Sequence, residues 1–410
     1  MRRVVVTGLG LVTPVGLTVD ETWNNLLAGK SGAATITKYD PTGWAVRFAC
    51  EVKGFDPLPY IDKKEARRYD LFAQYGIAAA HQAMVQAGLE KGVTDPLRCG
   101  AILGSGIGGM MTFQENCEAF LQKGPDRVSP FFVPMFIPDI AAGLVSIRYN
   151  MQGPNFATVS ACSSGAHAIG TSWQLIRAGV ADLMLTGGCE AAITGLSVSA
   201  FANMKALSTR NDAPERASRP FDRGRDGFVL ADGAGMLVLE EYEHARARGA
   251  HILGEVIGYG ASGDAYHITS PPQDGHGAIH AMNMCLESGG IALDEVDYIN
   301  AHGTSTPQGD IAETNAVKAV FGSHARELMF ASTKSMTGHT LGAAGAIETI
   351  ISLLVAATGK VPPTINNEDP DPECDLDCVP NVMRERAVRV AVSNSFGFGG
   401  HNAALAVRMV

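Results

Sequence analysis

The chain has no Cys-x-x-Cys pair: its eight cysteines, at 50, 99, 117, 162, 189, 285, 374 and 378, are widely scattered. Over 410 residues that spacing predicts reduced thiols of a cytosol, most of them buried as small hydrophobes, and excludes a disulfide framework. Cys374 and Cys378 share an acidic stretch, but without a second pair or a nearby His they describe no metal site. Positive charge is not in excess either. Forty-two acids against 32 bases give a net charge of -10, which argues against a broad face for a nucleic-acid backbone. The amino terminus enters an apolar strand at once, and no run of about 20 apolar residues follows it. Neither a signal peptide nor a membrane span is therefore expected, and the cytoplasm is the default. The 47 glycines keep no fixed period, which excludes collagen-like and low-complexity readings. No Gly-x-Ser-x-Gly elbow surrounds a plausible nucleophile, so serine-based hydrolysis has no support. The glycine-rich segments 104–109 and Gly8-Leu9-Gly10 fall short of the dinucleotide spacing, and they predict tight turns and close packing with no cofactor.

What is present is a 46% hydrophobic chain in which short apolar runs alternate with helical patterns. Strands are predicted at Val4–Val6, Cys99–Leu103, Asp182–Thr186, near Ile252–Tyr259, and at Val296–Asn300, Leu328–Ser332, Val388–Ser393 and Ala403–Val407. Between them, helices are predicted over Asp20–Ala28 with Asp20 as cap, Lys64–Leu89, Ser163–Ala178, Glu240–Arg248, Gly277–Glu287, Asp310–Phe321 and Gly342–Ala357. This alternation calls for an α/β architecture of layered sheets and helices. Val4–Val6 and Ile252–Ile257 each open such a series, which suggests two related halves, 1–250 and 251–410. The Pro-rich, acidic stretch Pro362–Pro380 reads as an ordered surface loop.

Three residues stand where chemistry is carried in such folds. Cys162, in Val159-Ser160-Ala161-Cys162-Ser163-Ser164-Gly165, falls between a strand and a helix N-terminus. Unpaired N–H groups and the helix dipole there favour a thiolate and offer donors to a developing oxyanion. His302 and His339 each follow a strand in a Gly/Thr/Ser-rich loop, where α/β proteins carry function. Together they describe a nucleophile with two polar partners. A zinc site of one Cys and two His is the competing reading, although none of the three has a neighbour at ligand spacing. A buried structural cysteine and two hydrogen-bonded structural histidines are the plainer alternative.

Four segments then carry a resemblance across essentially the whole chain: 160–170 (Ser-Ala-Cys-Ser-Ser-Gly-Ala-His-Ala-Ile-Gly), 302–310 (His-Gly-Thr-Ser-Thr-Pro-Gln-Gly-Asp), 334–345 (Lys-Ser-Met-Thr-Gly-His-Thr-Leu-Gly-Ala-Ala-Gly) and 394–400 (Asn-Ser-Phe-Gly-Phe-Gly-Gly). In them the sequence resembles the beta-ketoacyl-[acyl carrier protein] synthases. The stretches 63–76 and 362–377 are more similar to the type II synthases than to type I. The resemblance implies a thiolase-like fold, five layers αβαβα from two related halves, assembled as a homodimer. It implies condensation of an acyl group held on Cys162 with malonyl-carrier protein, with loss of CO2, in fatty acid elongation.

The same resemblance implies roles residue by residue. His302 and His339 match the family's catalytic histidines, and Lys334 and Glu348 its polar support; Glu348 is expected to bind back to the His339 loop or to an ordered ion. The oxyanion hole would use the backbone N–H of Cys162 and Phe398. Ile107 and Phe398 match positions that line or gate the acyl pocket, and Thr304 and Thr306 match positions that bind the pantetheine arm. Lys64, Arg67, Arg68 and Lys205 match docking positions for the acidic acyl carrier protein. His401 departs from the family's usual Thr and alters local hydrogen bonding at the gating loop. The other readings are a ketosynthase subunit of a type II polyketide synthase and a non-condensing thiolase-like acyltransferase. A thiolase proper would place a second Cys near the C-terminus, whereas the last here is Cys378.

Overall fold

Apolar runs stopped by glycines produce one sheet of ten strands, seen in a computed structural model that describes residues 2–410. In chain order the strands are β1 (Val4–Val12), β2 (Cys99–Gly104), β3 (Asn155–Thr158), β4 (Leu183–Glu190), β5 (Gly233–Glu241), β6 (Gly254–Gly263), β7 (Val296–Asn300), β8 (Met329–Ala331), β9 (Val390–Gly397) and β10 (His401–Arg408). Their spatial order is β8-β7-β9-β10-β6-β1-β5-β4-β2-β3. Each half counted from its own first strand therefore runs 3-2-4-5-1. The senses agree as well: two parallel pairings on the outer side and two antiparallel ones on the inner side of each half. Across the sheet the half-sheets pair through Val5 with Glu255 and Val6 with Gly254.

Helices complete the five layers. α1 (Leu71–Gln86) covers the outer face of the first half, and α3 (His276–Gly289) with α4 (Pro307–Phe321) covers that of the second. Between the two half-sheets lie α2 (Ser164–Arg177) and α5 (Ala344–Thr358). The apolar core between the half-sheets takes Ile169 and Ile176 from α2, Ile347 and Ile350 from α5, and Val6, Leu237, Tyr298 and Leu405 from the strands. Separate outer cores hold Phe72 and Met84 on one side and Met282 and Val317 on the other. Leu341–Thr358 is long and apolar enough to cross a membrane, but it contains α5 and is mostly buried as the central helix.

Several local expectations change. The helix predicted over Lys64–Leu89 is two, Lys63–Ala66 and α1, because the buried Asp70 takes an extended backbone and N-caps the second: its carboxylate accepts from Phe72 N at 3.3 Å and from Thr112 N at 2.8 Å. The first helix, Val19–Leu27, is capped by Thr18 and not by Asp20. The helix predicted from Glu240 begins at Tyr242, since Glu240 and Glu241 still belong to β5. Pro362–Pro380 does more than cross the surface: Phe330 N of the edge strand β8 donates to Asp377 O, so this segment closes one edge of the sheet. The opposite edge, β3, carries the exposed Phe156 and leads into the exposed Val159.

β1 was expected to stop at Gly8 and instead runs to Val12. Gly8 and Gly10 mark close approach and not a turn. A Cβ on Gly10 would sit 1.9 Å from Ala79 O, and one on Gly8 2.0 Å from Ala83 O, both on the α1 backbone. Gly10→Ala must push α1 off the sheet, and such overpacking costs about 3 kcal/mol. The thermal midpoint of this variant is expected several degrees below that of the parent chain. An unchanged midpoint would show that α1 is free to slide.

Candidate active site

The three residues singled out in sequence meet at one point. Cys162 lies in a 3-10 turn, Ala161–Ser163, just ahead of α2, so the helix proper begins two residues after the sulfur. Ala161 takes a φ of 50°, which a non-glycine residue rarely adopts. The turn is held in that form from several sides. Ser160 N donates to Ser164 Oγ at 2.9 Å, and Ser164 Oγ donates to Ala161 O at 2.7 Å. Ser163 Oγ reaches Ser395 O and His401 O at 2.9 and 2.7 Å, tying the turn to the second half. His401 therefore contributes its carbonyl here, while its side chain is exposed.

His339 Nε2 lies 2.9 Å from Cys162 Sγ. The His302 ring stands nearly perpendicular to that of His339, at 86° and 5.3 Å between centroids. Two aromatic rings bracket the pair, Phe228 at 5.4 Å from His339 and Phe396 at 5.9 Å from His302. Lys334 and Glu348 form a buried ion pair, the lysine from the short helix Lys334–Thr337 and the acid from α5.

Burial governs the protonation states. It pushes the Cys162 thiol up to about 12, against Lys334 and the backbone N–H groups of Phe398 and Cys162, which pull it down. The thiolate expected from the helix terminus is thus outweighed at rest by desolvation. Both imidazoles are held well below their ordinary value, first by burial and then by the Lys334 charge, so both are neutral. Glu348 is raised to about 7 by burial, with Lys334 opposing.

Cys162, His302 and His339 line a cavity of about 550 Å³. Ile107 and Phe398 are on its wall, as are Thr304 and Thr306, whose hydroxyl oxygens are 3.1 Å apart. Lys205 lies at the same cavity, whereas Lys64, Arg67 and Arg68 are exposed on and after the short helix Lys63–Ala66 and do not line it. Arg68 stacks over the Phe131 ring at 4.7 Å.

Two carboxylates that sequence reasoning passed over hold the loops in place. Glu190, at the end of β4, accepts from Gly106 N at 2.6 Å, Ile107 N at 3.3 Å, Gly342 N at 2.9 Å and Ser105 Oγ at 3.0 Å. Glu313, on α4, accepts from His302 N at 2.9 Å, Gly303 N at 2.8 Å and Asn394 Nδ2 at 3.1 Å. Both are raised to about 7 by burial. A sequence signal existed for each: Glu190 is an acid ending an apolar strand, and Glu313 lies one helical turn after Asp310.

The donor atoms of Cys162, His302 and His339 lie within 4.8 Å of one another, close enough for the zinc alternative to be tested on geometry. Zinc-bound imidazoles almost always pass their second ring nitrogen to a carboxylate or carbonyl. Nδ1 of His302 and of His339 is buried and has no such partner among the described residues. The cluster lacks the outer shell of a zinc site and opens on a substrate-sized cavity.

Comparison with known proteins agrees with this architecture. Residues 1–245 match the family model described as beta-ketoacyl synthase, N-terminal domain, and residues 253–368 match beta-ketoacyl synthase, C-terminal domain. The 3-oxoacyl-[acyl-carrier-protein] synthase 2 of Coxiella burnetii is 51% identical over 409 residues, which is 100% of this chain and 99% of that protein. Its namesake in Synechocystis is 50% identical over 99% of this chain and 98% of its own. Among solved structures, a beta-ketoacyl synthase from Burkholderia phymatum superposes with a TM-score of 0.93 at 36% identity, covering 100% of both chains. A type II polyketide acyl-carrier protein in complex with its ketosynthase gives 0.91 at 37% identity, over 100% of this chain and 99% of that one. A match over both halves, with relatives half identical along their full length, leaves one conclusion: the chain belongs to the beta-ketoacyl synthase family and is an acyl-transferring ketosynthase of the thiolase-like fold.

Proposed function

We propose that this site performs decarboxylative condensation in fatty acid elongation, and the 2.9 Å contact between Cys162 Sγ and His339 Nε2 carries the reading. In the first stage Cys162 Sγ attacks the carbonyl carbon of an acyl thioester on acyl carrier protein. Its proton passes to His339 Nε2 and on to the departing carrier thiolate, leaving an acyl-Cys162 thioester. In the second stage a malonyl thioester loses CO2, and the electron pair of the broken C–C bond becomes an enolate. Its oxygen accepts from His302 and His339, and its α-carbon attacks the acyl carbon on Cys162. The tetrahedral oxyanion faces the N–H groups of Cys162 and Phe398. Collapse expels the sulfur, which takes up one proton, and yields 3-oxoacyl-carrier protein two carbons longer.

The environment suits both stages. A neutral imidazole accepts through one nitrogen and donates through the other, and with neither Nδ1 committed, both tautomers are open to both rings. Lys334, paired with Glu348, favours loss of the thiol proton without charging the histidines. Ile107 and Phe398 would meet the acyl chain, while Thr304 and Thr306 would hold the pantetheine arm. Relatives named as 3-oxoacyl synthases are 50–51% identical to this chain, against 37% for the polyketide ketosynthase, which favours fatty acid over polyketide synthesis. The two halves, 1–250 and 251–410, each repeat one strand order, in keeping with a duplicated ancestor. All eight cysteines are free, in keeping with a cytoplasmic setting.

The geometry separates the two histidines. His302→Ala is expected to keep Cys162 acylation within a few-fold while lowering malonyl decarboxylation about 100-fold, as for loss of an oxyanion donor. His339→Ala should slow both, and its acylation should recover as pH rises, because a buried thiol left without its proton acceptor needs external base. Rapid-quench mass spectrometry of the acyl-enzyme and labelled CO2 release measure the halves separately. Equal loss of acylation in both variants would refute the asymmetry.

Docking of the carrier is assigned to Lys205 at the cavity and to Lys64, Arg67 and Arg68 beside it. Lys205→Glu and the pair Lys64→Glu with Arg67→Glu are each expected to raise KM for acyl carrier protein and to flatten its salt dependence. Activity on a short acyl-pantetheine should barely change. A matching loss on both substrates would mark these residues as structural.

A homodimer is the expected assembly. Of the two sheet edges, β8 is covered by its own chain, whereas β3 presents Phe156 and Val159 to solvent, and open apolar edges recruit another strand. Phe156→Lys should shift the mass measured by light scattering from two chains to one. A dimer that survives this change would place the interface elsewhere.

A further inference from the structure

Arg225 is almost fully buried, with 3% of its side chain exposed, and it reaches from the first half into the loop after His302. Its Nε donates to Thr306 O at 3.0 Å and its Nη2 to Pro307 O at 2.8 Å. Nη1 donates to Asp222 O at 2.8 Å and to Asp371 Oδ2 at 2.7 Å, and Asp310 Oδ2 lies 3.6 Å from Nε. One guanidinium therefore grips two consecutive carbonyls of the 304–307 turn and is itself fixed by two carboxylates. The planar fork makes this possible, since an ammonium presents its donors from a single point.

The turn needs such a grip. Ser305 has a φ of 69°, where non-glycine backbone is strained. Neighbours of Arg225 hold it there: Arg219 N donates to Ser305 Oγ at 3.0 Å, and Gly227 N donates to Ser305 O at 3.1 Å. On the far side Thr306 N donates to Asp310 Oδ1 at 3.4 Å. With the backbone fixed at 305, 306 and 307, the hydroxyls of Thr304 and Thr306 are both presented to the cavity, 3.1 Å apart.

We propose that Arg225 is a positioning residue for recognition of the pantetheine arm, holding the strained 304–307 turn so that Thr304 and Thr306 meet the arm together. This rests on the assignment of those threonines to pantetheine. Arg225 touches neither the thiol nor the imidazoles, so its loss should appear in binding and not in chemistry.

The test uses acyl- and malonyl-pantetheine thioesters, which bypass carrier docking, on the full-length enzyme. Arg225→Lys keeps the charge but not the fork, and is expected to raise KM for both thioesters about tenfold, the worth of about one charge-assisted hydrogen bond, with kcat changed less than about threefold. Alkylation of Cys162 by iodoacetamide, which uses no arm, should proceed at the parent rate. Asp371→Asn loosens one anchor near the surface and should raise KM by about twofold to threefold, giving a readout if Arg225→Lys folds poorly. Thr304→Ala with Thr306→Ala is the reference and should raise KM to a similar degree. Unchanged KM in Arg225→Lys and Asp371→Asn, beside a raised KM in the threonine variant, would overturn the role of Arg225. Unchanged KM in the threonine variant alone would instead overturn the pantetheine assignment on which the role depends.

Discussion

The approach of Cys162 to His339 is decided by how closely α2 and α5 can pack. One follows the nucleophile and the other follows the histidine, and they come from opposite halves. A Cβ on Gly165 would lie 2.7 Å from Gly342 O, and one on Gly345 2.7 Å from Ala166 Cβ. Any side chain at these positions would drive the helices apart, and a shift of about 1 Å is enough to cost catalysis heavily. The small residues at the start of both helices are the device that closes the site. α5, packed between α2 and the strands, is buried on almost every face.

Close packing creates a second problem. The loops around the site leave the sheet and are buried, so their N–H groups lose both strand partners and water. Each unpaired group would cost about 1–3 kcal/mol. Glu190 and Glu313 supply acceptors in bulk, Glu190 to three loop N–H groups and Glu313 to two. Asp222 does the same for Gly224, Glu368 and Asp369. A carboxylate suits this duty because it accepts on two oxygens and donates nothing. The accompanying desolvation is visible in the upward shifts of Glu190 and Glu313 to about 7, which the donors only partly oppose.

This division explains what could be read in the sequence. Cys162, His302 and His339 follow strands in short, recognisable motifs, so their candidacy for one site and the α/β alternation were legible locally. Glu190 was not, because its partners Gly106 and Gly342 are 84 and 152 residues away. The break at Asp70 was hidden within an apolar helical period, and the long β1 was hidden by two glycines whose purpose appears only once α1 is laid across them. Only one side of the thiol's balance was legible for a related reason: the backbone N–H groups that pull its pKa down were, the burial that pushes it up was not. A helix terminus is visible in a sequence, whereas the depth at which it is buried is not.

That depth gives Lys334 its importance. Burial alone makes a thiol harder to ionise and an imidazole harder to protonate, so Cys162 and His339 both rest neutral, and desolvation opposes the charged pair that proton transfer would create. A fixed positive charge nearby acts on the two groups unequally: it lowers the thiol, which favours thiolate, and lowers the imidazole, which resists becoming a cation. The proton is therefore best passed through His339 to the leaving thiolate without resting there. The same neutral imidazole is then free to donate to the enolate. Burial pushes Glu348 up while its buried ion-pair partner Lys334 pulls it down. One buried cation thus keeps the nucleophile accessible and both histidines in the form that the second stage needs.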